Sequence, residues 1–176
     1  MQNILIVVDM QTDFVDGALG TAEAQSIVPA VTDRIRLAKS AGERIIFTRD
    51  THGEAYMDTA EGKKLPVPHC IKGTDGWQII PALRSLADAA EVLDKPTFGS
   101  TALAAQLAQE HSTNPIGRIT LIGLCTDICV ISNAMLLKAA LPEVPISVQA
   151  DCCAGVTPQS HENALNAMKM CQIDVI

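Results

Sequence analysis

Aromatic residues are scarce in this chain: one tryptophan, one tyrosine and three phenylalanines, 3% of the total. Since 48% of the residues are hydrophobic, a core must be assembled from aliphatic side chains. Positive charge is also short, with 13 Lys and Arg against 20 Asp and Glu and a formal net charge of −7. That balance argues against a nucleic-acid binder, which presents a basic patch. No apolar run approaches the roughly 18 residues of a membrane span. Met1 to Asp9 lacks the basic start and cleavage site of a signal peptide. The expectation is a soluble, cytoplasmic protein with neither nucleic acid nor membrane as partner. Paired C-x-x-C units are missing too, so the six cysteines make a poor structural zinc site. A reducing compartment also disfavours a disulfide framework.

What is present is an alternation. Five short apolar, β-branched runs stand out: Ile4 to Val8, Arg44 to Thr48, Glu91 to Leu93, Ile119 to Leu124 and Ile146 to Gln149, with Asp174 to Ile176 as a short sixth. The first and fourth are nearly continuous in Val, Ile and Leu, the pattern of strands buried on both faces. Helical spacing fills the gaps, over Ser26 to Ala41, Pro81 to Ala89, Ser100 to Glu110, Asp127 to Leu141 and Pro158 to Cys171. Ser100 and Asp127 are candidate N-caps, and Gly42 is a candidate stop. Strand alternating with helix predicts a three-layer α/β/α fold with a mostly parallel, Rossmann-like sheet of five or six strands. The 176 residues suit a single domain, 1–176.

Such sheets bind ligands beyond the carboxyl ends of their strands. Reading off those ends gathers Asp9, then Asp50 and His52, then Lys95, then Cys125, Asp127 and Cys129, then Cys152 and Cys153. Each has a bland explanation alone, as a helix cap, a solvated charge or a small core residue. Their convergence on one edge points to chemistry. Cys129 falls where a helix is expected to begin, and free N–H groups there favour a thiolate. Position alone leaves nucleophile and core filler both open for Cys129. Cys125 reads as a small residue whose backbone matters more than its sulfur. The long connection from Arg49 to Ile79 has no clear period and carries His52, Glu61, His69 and Cys70.

Three segments carry a resemblance. "VVDMQTDF", "DKPTFGST" and "GLCTDICV" occur in order, each at an expected strand end. They resemble the motifs of the isochorismatase-like cysteine hydrolases, the superfamily that includes nicotinamidases. The resemblance implies a catalytic triad of Asp9, Lys95 and Cys129, and an oxyanion hole from the backbone N–H groups of Cys125 and Cys129. It also implies a non-proline cis peptide at Leu124–Cys125 and a pocket aromatic at Phe14. The isochorismatases proper cleave a vinyl ether and lack the cysteine, so Cys129 points to the C–N hydrolase branch.

The resemblance further implies a metal held by Asp50, His52 and His69, with Glu61 as a fourth candidate. By spacing alone, hydrogen-bonded residues of a surface lid would be the better reading of these residues. The expected cofactor is a divalent ion, zinc first, with manganese or iron as alternatives. One departure stands out. Nicotinamidases commonly place a tryptophan shortly before the "HC" histidine, and here the segment is "LPVPHC". Trp77 is the only tryptophan, and its expected role is packing. The expected activity is a cysteine amidohydrolase acting on a small-molecule amide through a thioester, with nicotinamide the first candidate. The alternatives are a ureido- or N-carbamoyl-compound hydrolase with the same triad, or a catalytically silent ligand- or metal-binding member. The family commonly self-associates, so a homo-oligomer, dimer or tetramer, is expected.

Overall fold

All six apolar runs become strands in the computed structural model, which describes residues 1–176. In chain order they are β1 (Gln2–Val8), β2 (Arg44–Asp50), β3 (Glu91–Lys95), β4 (Ile116–Leu124), β5 (Ile146–Ala154) and β6 (Asp174–Val175). They form one sheet in the order β3-β2-β1-β4-β5-β6, and every pairing is parallel. The helices are α1 (Thr12–Val15), α2 (Ala22–Ser26), α3 (Val28–Ser40), α4 (Ala60–Lys64), α5 (Pro81–Ala87), α6 (Thr101–His111), α7 (Ile131–Ala140) and α8 (Pro158–Met170).

Successive side chains of a strand point to opposite faces, so one buried strand feeds two cores. Ile4, Ile6 and Val8 of β1 join Ile119 and Leu121 of β4 on one face. They pack against Leu107 of α6, Leu137 of α7 and Met168 of α8. Leu5 and Val7, with Ile122 and Leu124, face the other way toward Val31 and Ile35 of α3 and Leu83 of α5. The result is the three-layer arrangement expected from the alternation. The strand order runs outward from β1 in opposite senses, to β2 on one side and to β4 on the other, which puts the site beyond the carboxyl ends of these central strands.

Some boundaries differ from the sequence reading, for local reasons. The helix expected from Ser26 splits in two. Thr21 caps α2 by accepting from the Ala24 N–H, and α3 begins afterwards with a proline in its first turn. Gly42 ends α3 as expected, at φ +72°. Ser100 caps α6, accepting from the Leu103 N–H at 3.1 Å. Strand β5 extends past Gln149 to Ala154 through an irregularity: Leu121 pairs with Val148, but Gly123 pairs with Cys153. The polar side chains of Gln149 and Asp151 broke the apolar pattern there. Within the long connection, Tyr56–Asp58 form one tight helical turn before α4.

Candidate active site

The first strand ends in a strained residue. Asp9 sits at φ +48°, a left-handed conformation that Asp adopts more readily than most residues. Its neighbour across the sheet holds it there. The Asp9 N–H donates to the Thr48 carbonyl at 3.2 Å, and the Thr48 hydroxyl donates to Asp9 Oδ1 at 2.6 Å. Lys95, the last residue of β3, is fully buried beside it. Its Nζ lies 2.6 Å from Asp9 Oδ2 and 3.4 Å from Asp50 Oδ1. It donates to the Thr97 carbonyl at 3.2 Å and toward Cys129 Sγ at 3.4 Å.

The charges of this cluster tune each other. Burial opposes the charge on Lys95, but Asp9, Cys129 and Asp50 outweigh it and hold its pKa above the ordinary lysine value. Burial raises Asp9 above the usual carboxylate range, against the pull of Lys95. Cys129 departs from the expectation of an activated thiolate. Burial, and then the charge on Asp9, push its thiol well above the ordinary value, and Lys95 only partly offsets them. The reason is local: Cys129 is 4% exposed and shares its surroundings with a carboxylate. Burial and the neighbouring carboxylate thus favour the thiol over the thiolate at this position.

The turn that presents Cys129 is also not the simple helix start expected from sequence. Thr126–Val130 form a wide π-type turn ahead of α7, closed by the N–H groups of Ile128 and Val130 on the Cys125 carbonyl. Asp127 does not cap this helix. Its carboxylate instead accepts from the Val156 N–H at 3.2 and 3.3 Å, tying the turn to the loop after β5. The Thr126 hydroxyl pairs with His161 Nδ1 of α8 at 2.8 Å. Asn133 donates to the Cys129 carbonyl at 2.8 Å. The Leu124–Cys125 peptide is cis, as the resemblance implied. Just before it, Gly123 sits at φ +111°, where a Cβ would run into the Val8 carbonyl. Only glycine lets β4 approach β1 that closely. The Cys125 N–H has no hydrogen-bond acceptor within the protein. The Cys125 thiol is pushed up to about 12, by burial and by the charges of Asp127 and Asp9.

The long connection folds back over this edge and brings Asp50, His52, Glu61 and His69 together. One ligand atom from each lies within 4.8 Å of the other three. His52 Nε2 is 3.0 Å from Asp50 Oδ2 and 3.6 Å from Glu61 Oε1, and His69 Nε2 is 3.7 Å from Glu61 Oε1. His69 Nδ1 is 2.8 Å from the Val67 carbonyl. Donation there fixes the proton on Nδ1 and leaves the Nε2 lone pair facing the cluster, the arrangement of a metal-binding histidine. Burial tends to raise Asp50, but the contact with His52 and the charge on Lys95 outweigh it and keep its pKa low. Two imidazoles and two carboxylates, converging and largely buried, fit a divalent cation that takes mixed N and O ligands.

Gln11 and Asp13 hold this half of the site in place. The buried Gln11 amide accepts from the Asp50 N–H at 2.7 Å and donates to the carbonyls of Asp50 and Trp77 at 2.8 and 2.9 Å. Asp13 accepts from the N–H of Cys70, which sits at φ +47° next to His69. Tyr56 packs its ring 4.7 Å from His52 and 5.0 Å from His69, and its hydroxyl donates to the Leu65 carbonyl at 2.9 Å.

A cavity of ≈ 580 Å³ joins the two halves, with Cys129 and Cys125 on one wall and Asp50, Glu61 and His69 on another. Phe14 lines it too, 5.5 Å from His69. Trp77 does not. Its ring lies under the Arg49 guanidinium at 3.7 Å and its Nε1 donates to Thr51, so it packs the loop as expected.

With this arrangement in view, the comparisons with known proteins are direct. The isochorismatase domain matches residues 3–176. The chain belongs to the isochorismatase family. It is 26% identical to the family's nicotinamidase/pyrazinamidase of Mycobacterium tuberculosis, over 98% of this chain and 97% of that protein. It superposes on the pyrazinamidase of Pyrococcus horikoshii in complex with zinc with a TM-score of 0.80 at 28% identity, covering 100% of this chain and 99% of that one. The N-carbamoylsarcosine amidase of Thermoplasma acidophilum gives a TM-score of 0.80 at 28% identity, covering 99% of this chain and 95% of that one.

Every site residue expected from the family motifs reaches this one edge: Asp9, Lys95 and Cys129 in contact, Cys125 and Phe14 on the cavity wall, and Asp50, His52, Glu61 and His69 clustered. Sequence reasoning missed Gln11, Thr48, Tyr56, Phe98 and Asn133. Gln11 was visible as the middle of the D-x-Q-x-D-F motif. Phe98, on the cavity wall, lies within the "DKPTFGST" segment, whereas Thr48, Tyr56 and Asn133 carry no local signal.

Proposed function

We propose that the protein is a cysteine amidohydrolase that cleaves a small carboxamide through a thioester, with nicotinamide as first candidate. The observation that carries the reading is the buried contact of Asp9, Lys95 and Cys129, with Cys129 opening onto a cavity whose other wall carries Asp50, Glu61 and His69 of the four-residue cluster. Asp9 accepts the thiol proton as Cys129 Sγ bonds to the amide carbon. Lys95 stays protonated and balances the thiolate as it forms. The carbonyl π pair moves to oxygen, and the backbone N–H groups of Cys125 and Cys129 receive that oxyanion. Protonated Asp9 then gives its proton to the amine as the C–N bond breaks. In the second half, Asp9 takes a proton from water as the water attacks the thioester. The C–S bond breaks, the proton returns to sulfur, and the acid leaves.

Asp50, His52, Glu61 and His69 would hold a divalent ion, zinc in our reading. When bound, it supplies a Lewis-acid point for a ring nitrogen or carboxylate of the ligand. Purified protein should carry about one such ion per chain. The paired substitution His52→Ala and His69→Ala should remove it, as read by elemental analysis. Unchanged metal content in that variant would reject the ligand set.

The likeness to an N-carbamoylsarcosine amidase favours a second reading, a carbamoyl-compound hydrolase with the same triad. Apart from the proposed divalent ion, the cavity wall offers a carboxylated substrate of that kind little positive charge. No arginine lines it, and its only lining cation is Lys64, exposed at the rim. The test is steady-state ammonia release from nicotinamide, pyrazinamide and N-carbamoyl amino acids by the metal-loaded enzyme. Nicotinamide should turn over. Turnover of the carbamoyl compounds alone would replace the first reading with the second.

A further inference from the structure

The cavity is long and graded. Its inner end is polar and buried: Asp50 is 1% exposed, His69 2% and Cys129 4%. Its outer end is apolar and open: Leu65 is 38% exposed, Phe98 43% and Val156 51%. A single-ring amide with its carbonyl at Cys129 needs only the inner part. Cavities of roughly 300–1,000 Å³ accept ligands well beyond one ring, and this one measures ≈ 580 Å³.

Half-exposed apolar side chains are ordinary when scattered. These three are not scattered. They lie on three separate segments, after α4, after β3 and after β5, yet they line one mouth. The backbone of each is pinned by a polar side chain from elsewhere in the fold. The Tyr56 hydroxyl donates to the Leu65 carbonyl at 2.9 Å. Asn133 donates to the Phe98 carbonyl at 3.1 Å. Asp127 accepts from the Val156 N–H. Asn133 also holds the Cys129 carbonyl, so the rim and the proposed nucleophile share one anchor. The rim is thus built to a fixed shape, which spares a ligand the entropy of ordering it.

We infer that Leu65, Phe98 and Val156 form a preorganised outer subsite that selects carboxamides carrying an apolar extension beyond the ring or acyl group seated at Cys129. This rests on the amidohydrolase reading above and deepens it. The subsite takes alkyl or aryl substituents, and Lys64 beside Leu65 is the one lining cation near it. A buried methylene contributes a factor of about four in binding, so two or three methylenes reaching the rim should raise kcat/KM by about 15- to 60-fold.

The experiment measures kcat/KM for nicotinamides bearing ring methyl, propyl or pentyl substituents, beside nicotinamide and a straight-chain primary amide series. The readout is the ratio of extended to unsubstituted substrate within each series. The wild-type ratio should climb with chain length in at least one series. In Phe98→Ala and Leu65→Ala that ratio should collapse by about tenfold. Circular dichroism of each variant should match the wild type, since the substituted side chains are half-exposed. Turnover of nicotinamide with a ratio that is flat or falling in both series would overturn the outer subsite and leave the amidohydrolase reading standing. A climbing ratio that survives both substitutions would overturn the assignment to these residues. No turnover of any amide would remove the amidohydrolase reading, and the subsite with it.

Discussion

Cys129→Ala should lower ammonia release by on the order of 10³-fold or more, because a residue acting within a catalytic unit takes nearly the whole rate with it. The substitution removes only a sulfur from a buried position, and the Asn133 bond to its carbonyl is untouched. Circular dichroism and the unfolding midpoint should therefore stay close to wild type. Cys125→Ala is the matched control. Its proposed contribution is a backbone N–H, which alanine retains, and its thiol is held protonated. It should keep activity within about tenfold of wild type, since the oxyanion donor whose loss would cost 10²–10³ survives. Activity that survives Cys129→Ala and falls with Cys125→Ala would reverse the assignment.

Lys95→Met should damage both stability and activity. The wild-type ammonium lies between Asp9 and Asp50 with no exposure to solvent. Removing one partner of such a cluster strands buried negative charge, at a cost of about 3–5 kcal/mol. The loss should depend on pH in a definite direction. Without Lys95, the carboxyl of Asp9, already raised by burial, rises further above its value in the unfolded chain. The folded state then binds more protons than the unfolded state, so stability is retained at low pH and falls as pH increases. Urea unfolding at two pH values reads this directly. Adding Asp9→Asn should restore part of the stability by removing the stranded charge, while the enzyme stays inactive. A single Lys95→Met variant as stable as wild type at neutral pH would contradict the electrostatic account of the cluster.

The sheet was legible in the sequence because its central strands are buried on both faces. Ile4 to Val8 and Ile119 to Leu124 left no room for another assignment, and the strand ends followed from them. Those strand ends alone place Asp9, Asp50, Lys95 and Cys129 on one edge. The supporting contacts were not legible, because they link distant segments. Gln11 reaches Asp50 across 39 residues and Trp77 across 66. Thr48 reaches Asp9 across 39. Nothing local to Tyr56 announces that it packs on two histidines, nor to Asn133 that it holds Phe98 and Cys129 together.

The environment of Cys129 is illegible in the sequence for a related reason. Sequence shows the expected helix start, which favours a thiolate, and hides the burial and the carboxylate, which oppose it. The structure shifts the emphasis of the mechanism accordingly. In the proposed mechanism Asp9 accepts the thiol proton during attack rather than facing a preformed thiolate.

The central claim is that Cys129 carries the acyl group during turnover. The most direct test is rapid acid quench of the metal-loaded enzyme with excess nicotinamide, followed by intact-mass and peptide mass spectrometry. The account predicts a transient adduct of the nicotinoyl group on the peptide containing Cys129, absent from Cys129→Ala and from Asp9→Asn. Steady ammonia release without any adduct on Cys129, or with the adduct on another cysteine, would contradict it.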